Sequence, residues 1–173
     1  MEKWDAYDRF RNKLGYELVR GEKIPEGAKH IVAHMIFYNS KGQLLLQRRS
    51  ETKELAPGVW AFAGGSALAG ETTADACMRE TQEEMGFIPD MSEAEIAVSY
   101  SRWDHIVDVY LIKTEVSVDE LVLQEEEVAE ARWFDRDEFL EIVKDESRFW
   151  QYGYMDMIIK YLDELPYVWG NAD

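Results

Sequence analysis

Residues 65–87 read GSALAGETTADACMRETQEEMGF, a glycine turn followed by a segment of helical spacing that gathers Arg79, Glu80, Glu83 and Glu84. Thr72 or Thr73 caps the start, Asp75 sits in the first turn where the helix dipole favours negative charge, and Gly86 stands where a left-handed cap ends a helix. At about 100° per residue, Ala74, Cys77, Met78, Thr81 and Met85 fall on one stripe, and Glu80, Glu83 and Glu84 on the opposite side. The expected helix therefore packs by the first face and offers its carboxylates on the second. Residues four apart on a helix are neighbours, so Glu80 and Glu84 repel when left alone. A hard divalent cation turns that repulsion into binding, because Mg²⁺ takes carboxylate oxygens and completes its shell with water and phosphate. Arg79, one turn before Glu83, is placed to hold that carboxylate in one orientation.

An acidic pair on a helix is by itself an ordinary solvated face. The whole spacing is more specific: Gly65, five residues, Glu71, seven residues, Arg79-Glu80, then Glu83-Glu84, Gly86 and Phe87. It resembles the box of the Nudix hydrolases, with Thr81 in place of an aliphatic residue and Phe87 bulkier than usual. Thr81 lies in the packing stripe, so this departure touches packing and not the acidic residues. The resemblance implies an α/β (α+β) fold, an α/β/α sandwich with a mixed sheet in which the box forms a loop, helix and loop. It also implies hydrolysis of a small diphosphate linked to another moiety, with Mg²⁺ or Mn²⁺. Carried over by position, Glu80 and Glu84 would be the principal metal ligands and Glu83 a further ligand or water-activating group. The Gly64 carbonyl would be a backbone ligand, and Arg79 and Glu71 orienting partners. A further carboxylate is expected from Glu125, Glu126 or Glu127, with Glu127 favoured by its spacing to Trp133-Phe134.

Around the box, residues 1–29 are polar with aromatic punctuation and read as a hairpin or lid. His30 to Tyr38 and Gln43 to Gln47 read as strands joined by the turn Asn39-Ser40-Lys41-Gly42. Val59 to Ala63 reads as a short strand, followed by strands over 95–102, 106–114 and 129–134 and helices over 135–144 and 150–165. No repeat or linker divides the 173 residues, so a single domain over 1–173 is expected. A net charge of −16 repels polyanions and argues against nucleic-acid and acidic-membrane partners. No apolar run is long enough to span a bilayer, the first residues lack leader character, and there is one cysteine; cytoplasm is the expected location. An anionic substrate then needs local cations. Arg48, Arg49 and Lys53 are the candidates, and strand alternation lets only one of the two arginines face a cleft.

The stretch NSKGQLLLQRRS and the later PGVW look like the branch that includes isopentenyl-diphosphate isomerase, which supplies a rival reading. That enzyme needs a cysteine where Gly65 stands here, and of its metal-binding histidines only His30 has a counterpart, with Lys23 and Ala67 near the others. A non-catalytic nucleotide-binding module is a second rival, which an intact set of Glu80, Glu83 and Glu84 disfavours. His34 and His105 read as structural histidines, and Trp60, Phe62 and Trp103 as core aromatics rather than base-stacking ones. In this family the substrate's second half is chosen outside the box, here by residues 1–29, 99–107 and 115–128. A homodimer is also allowed, with the tail PYVWG, residues 166–170, as its candidate surface.

Overall fold

The computed structural model describes residues 1–169. The chain forms strands β1 (Lys3–Tyr7), β2 (Lys13–Val19), β3 (His30–Tyr38), β4 (Leu44–Arg49), β5 (Trp60–Ala61) and β6 (Ala63–Ser66), then helix α1 (Thr73–Met85). Strands β7 (Glu95–Ser101), β8 (His105–Lys113) and β9 (Val128–Phe134) follow, and helices α2 (Arg136–Ile142) and α3 (Met155–Asp163) complete it. A seven-stranded mixed sheet runs β5-β4-β3-β8-β7, with β6 added to β3 and β9 to β4. Among the strands of the described residues, β3 and β8 form the parallel pair. Alternation along β3 decides what each face meets. Ala33, Met35 and Phe37 pack with Ala76, Cys77 and Met85 of α1, while Ile36 joins Phe139, Ile158 and Leu162 of α2 and α3. This is the expected sandwich of a mixed sheet between helices.

The sheet splits beside the box. β3 pairs with β4 only near the turn, at Phe37–Leu45 and Tyr38–Leu44. Asn39 shapes that turn by accepting the backbone N–H groups of Lys41 and Gln43 at its side-chain oxygen. Beyond the turn β3 takes β6 as its partner, and β4 takes β5 and β9. The expected single strand Val59 to Ala63 is for this reason two strands, one on each side of the split. The last helix also begins later than expected, at Met155. Phe149 instead bridges to Trp60 of β5, the Trp60 N–H donating to the Arg148 carbonyl and the Trp150 N–H to the Trp60 carbonyl. The tail expected to serve a partner is used within the chain: Val168 is buried, Trp169 rests on the α2–α3 side of the core, and Tyr167 donates to Glu95. Gly170 lies outside the described residues.

The N-terminal residues form a hairpin, β1–β2, fastened to the sheet at several points. Tyr7 and Lys29 exchange backbone hydrogen bonds, and Trp4 stacks on His30 at 4.1 Å between ring centres. Arg11 at the turn makes a two-pronged ion pair with Asp108 of β8, at 2.7 and 2.6 Å. Asp108 also accepts from Ser99 of β7 and from Thr73, the first residue of α1. One carboxylate, 1 % exposed, thereby ties the hairpin and two strands to the start of the box helix.

Burial alone would raise the Asp108 carboxyl, but hydrogen bonds from Arg11, Ser99 and Thr73 outweigh it and hold it below its ordinary value. A depressed carboxyl contributes stability above its unfolded value, about 3.9, and loses it as pH falls through the folded value. Breaking the pair from one side leaves a buried charge. Arg11→Ala is therefore expected to cost about 2 to 4 kcal/mol in denaturant unfolding at pH 7. Asp108→Asn should lose much of that pH dependence below pH 4, and an unchanged acid limb in that variant would contradict this account.

Candidate active site

The box helix starts at Thr72, whose hydroxyl accepts the Asp75 N–H while the Asp75 carboxylate accepts the Thr72 N–H, and it ends at Gly86 with φ 78°. Its buried residues are Thr73, Ala76, Cys77, Thr81, Glu84 and Met85. Thr81 lies in the packing face as expected. The acidic face does not stand opposite to it: the buried arc is centred between Cys77 and Glu84, with Glu80 within it. Glu83 alone of the three is well exposed, its side chain at 54 % against 16 % for Glu80. The reason is the sheet split. β6 carries glycine at 64 and 65, and a side chain at Gly65 would run into the Glu80 carboxyl, so the missing Cβ is the space in which Glu80 sits.

Arg79 organises this acidic group. Its Nε and Nη2 donate to the two oxygens of Glu71 at 2.8 and 3.0 Å, and Nη2 also donates to the Ser66 carbonyl at 2.9 Å. Its Nη1 donates to Glu80 at 2.8 Å and to Glu83 at 3.1 Å. Burial opposes the charge on Arg79, but Glu71 and Glu80 outweigh that and keep it protonated. Glu71 takes a further N–H from Leu68, which leaves it an anchor with its oxygens engaged.

Glu84 has no such cation. Only 8 % exposed, it accepts one hydrogen bond, at 2.9 Å from the Gln47 side-chain amide of β4. Burial pushes its carboxyl up to about 7, with the nearby Glu80 and Glu127 adding to the effect, and burial likewise raises Glu80. Glu127 stands beside Glu84 paired to Lys53, whereas Glu125 and Glu126 are exposed. Among the described residues no three His, Cys, Asp or Glu side chains already converge as a metal cage. The donor set nevertheless fits a hard cation, because Glu71, Glu80 and Glu83 share a single arginine and the more buried Glu84 has only an amide for a partner.

A cleft of about 800 Å³ opens at the split, floored by Gly64, Gln47 and His34 and walled by Arg49, Tyr152 and Trp103. Alternation separates the two arginines as expected. Arg49 lines the cleft, while Arg48 lies outside its lining and pairs with Glu51 and Glu130. The carbonyls of Leu55 and Ala56 hold the Nε and Nη2 edge of Arg49, and the guanidinium lies over Trp150 at 5.0 Å. Ala56 adopts φ 47°, a left-handed conformation that costs a non-glycine residue about 1 to 2 kcal/mol, in the loop that aims these carbonyls. His34 is half-buried with its Nδ1 at 2.5 Å from the Tyr154 hydroxyl, and desolvation pushes it down to about 3, as a structural histidine. His105 is bonded to Asp104. Trp60 and Phe62 belong to the core, but Trp103 does not. Sequence reasoning also missed Gln47. Its only signal was its place two residues before Arg49, on the same side of β4.

The comparisons with known proteins bear on the family and the fold. The NUDIX domain family matches residues 28–155 of the chain, which leaves the whole β1–β2 hairpin outside the match. An uncharacterised Nudix hydrolase of Listeria monocytogenes is 39 % identical over 159 residues, covering 91 % of this chain and 94 % of the relative. Among solved structures, DR0079 from Deinococcus radiodurans superposes with a TM-score of 0.74 at 20 % identity, covering 92 % of this chain and 98 % of that one. The NUDIX domain of NrtR from Shewanella oneidensis, solved with ADP-ribose, gives a TM-score of 0.58 at 14 % identity, covering 87 % and 93 %. Among the described residues no helix is long and apolar enough to cross a membrane. With a family match over most of its length and a close full-length relative, this chain belongs to the Nudix hydrolases.

Proposed function

We propose that the protein hydrolyses a phosphoanhydride bond in a nucleoside diphosphate linked to another moiety, or in a similar small diphosphate, with Mg²⁺ or Mn²⁺ held by Glu80, Glu83, Glu84 and the Gly64 carbonyl. The observation that carries this reading is Glu84, a buried carboxylate beside Glu80 that forms no ion pair of its own, the nearby Lys53 being engaged by Glu127. When bound, the metal neutralises diphosphate charge and lowers the pKa of the attacking water. Arg79 and Gln47 orient the carboxylates. Glu83 is tied only through Oε2 to Arg79, which leaves its other oxygen to accept the water's proton. Glu127, held by Lys53, adds negative charge beside Glu84 and is the second candidate for that proton. Arg49 meets the diphosphate with Nη1, the part of its guanidinium that the loop carbonyls do not hold.

The isomerase reading lacks its nucleophile. Cys77 is buried in the core and burial pushes its thiol up to about 12, and a side chain at position 65 would displace Glu80. A purely binding module would not need a water-activating set. Glu83→Gln and Glu84→Gln are each expected to reduce turnover about 10² to 10³-fold on a diphosphate panel beginning with ADP-ribose, the fold being retained. Full activity in both variants, with product still formed, would sink the assignment.

Protons and metal compete for Glu84. Raised above its unfolded value, this carboxyl destabilises the metal-free fold progressively between about pH 4.5 and 7, and removing its charge relieves that cost. Glu84→Gln should therefore melt higher than the parent at pH 8 without metal, yet lose the upward shift that Mg²⁺ gives the parent. In the parent, apparent Mg²⁺ affinity read from thermal shifts should fall about tenfold per pH unit below 7 and level off above it. An affinity that does not change between pH 5.5 and 8 would count against Glu84 as a ligand.

A further inference from the structure

At the end of the cleft away from the box, residues Arg102 to Asp104 join β7 to β8, which begins at His105. Their backbone is tied on several sides. The Arg102 N–H donates to the His105 carbonyl at 2.8 Å, and the His30 N–H to the Asp104 carbonyl at 3.1 Å. Lys29, itself only 8 % exposed, donates its ammonium to the Arg102 carbonyl, and Asp104 holds the His105 ring. A loop this firmly anchored nonetheless carries Trp103 at 74 % exposure on the cleft wall. Leaving so large a ring in water forfeits about 2 kcal/mol or more of burial, and nothing within the described chain stacks on it. Burying a lysine to fix the carbonyl next to an unburied tryptophan makes sense if the indole is covered by a ligand. A loop already ordered also spares the ligand the cost of ordering it.

Arg102 adds the second half of the argument. Its guanidinium lies along the backbone of Gly153, where a Cβ would come within 3.3 Å of Nη1 and 3.1 Å of the Tyr100 hydroxyl. Among the described residues it has no acidic partner, although most arginines of this acidic chain have one. A flat indole beside a guanidinium with unused N–H donors complements a planar ring that carries hydrogen-bond acceptors, which describes a nucleobase and not an isoprenyl chain. The spacing is consistent. Gly64 lies opposite His34 and His105 opposite His30, so the two ends of the site are four residues of β3 apart, about 13 Å at ~3.3 Å per residue. That distance leaves room for a sugar between the diphosphate and the ring.

Building on the reading of this cleft as the substrate cleft, we infer that Trp103 and Arg102 are its specificity residues: Trp103 stacks the nucleobase of the substrate and Arg102 donates to its acceptor atoms. The binding test needs neither metal nor turnover. Metal-free full-length protein is titrated calorimetrically with AMP and with ribose 5-phosphate, which differ by the base. The parent should bind AMP at least about tenfold tighter than ribose 5-phosphate. Trp103→Ala should weaken AMP about tenfold and leave ribose 5-phosphate unchanged, while Trp103→Phe should stay within about threefold of the parent. Trp103→Gln repeats the test should the alanine variant fold poorly. With Mg²⁺ and ADP-ribose, the same loss should appear in KM and not in kcat. Equal affinity of the parent for the two ligands, or AMP binding indifferent to Trp103, overturns the inference even if diphosphates are hydrolysed. Binding of AMP that depends on Trp103, in a protein that turns over no diphosphate, upholds it and overturns the hydrolase reading instead.

Discussion

Arg79 is the interaction on which the site depends. Four carboxylates from one loop and one helix stand within a short distance of each other, an arrangement that like-charge repulsion would scatter. One planar guanidinium holds three of them by directed hydrogen bonds and reaches across to the Ser66 carbonyl at the end of β6, so it also fastens α1 to the sheet. Lysine has the charge but not the fork: a single ammonium could not address Glu71 with two bonds while donating to Glu80, Glu83 and a carbonyl. Glu84 is left to Gln47. This division explains why the most buried carboxylate of the group is also the one whose charge is least compensated.

A second constraint is the splitting of the sheet. Because β3 leaves β4 after two paired residues and takes up β6, a cleft opens at the split, lined there by Gly64 and by Gln47, which bonds Glu84 of α1. The glycines at 64 and 65 keep that gap clear. The β1–β2 hairpin bears on the same geometry through Asp108, which links Arg11 to Thr73 and so to the start of the box helix. The cleft runs along β3 from Gly64, next to the box, to the anchored loop that carries Arg102 and Trp103. In a chain of net charge −16, this cleft carries Arg49 and Arg102 on its lining, with Asp104 and Glu146 also there.

Much of this was legible in the sequence, for reasons that differ from residue to residue. The cap at Thr72, the stop at Gly86 and the spacing of Arg79 from Glu71, Glu80 and Glu83 are local, so helical geometry alone places them. The turn at Asn39 to Gly42 and the separation of Arg48 from Arg49 follow from strand alternation and turn chemistry. Less legible was the direction in which the helix faces. Period alone put Glu80 and Glu84 on a solvent side, because it weighs apolar residues and cannot know that two glycines on a neighbouring strand have made room for carboxylates. The tail misled for a related reason: aromatic residues look alike whether they cover their own core or a partner's.

The sequence by itself determined the family, the helix and the identity of its acidic residues, because these are written within one contiguous stretch whose chemistry depends on spacing along a single helix. Only the tertiary structure decided which of those carboxylates is buried without a cation, which arginine faces the cleft, and that Trp103 stands exposed where Trp60 and Phe62 are packed away. Those outcomes depend on Gln47, Gly65, Lys29 and Gly153, residues far from the groups they position, and burial and desolvation arise only when the folded chain brings them together.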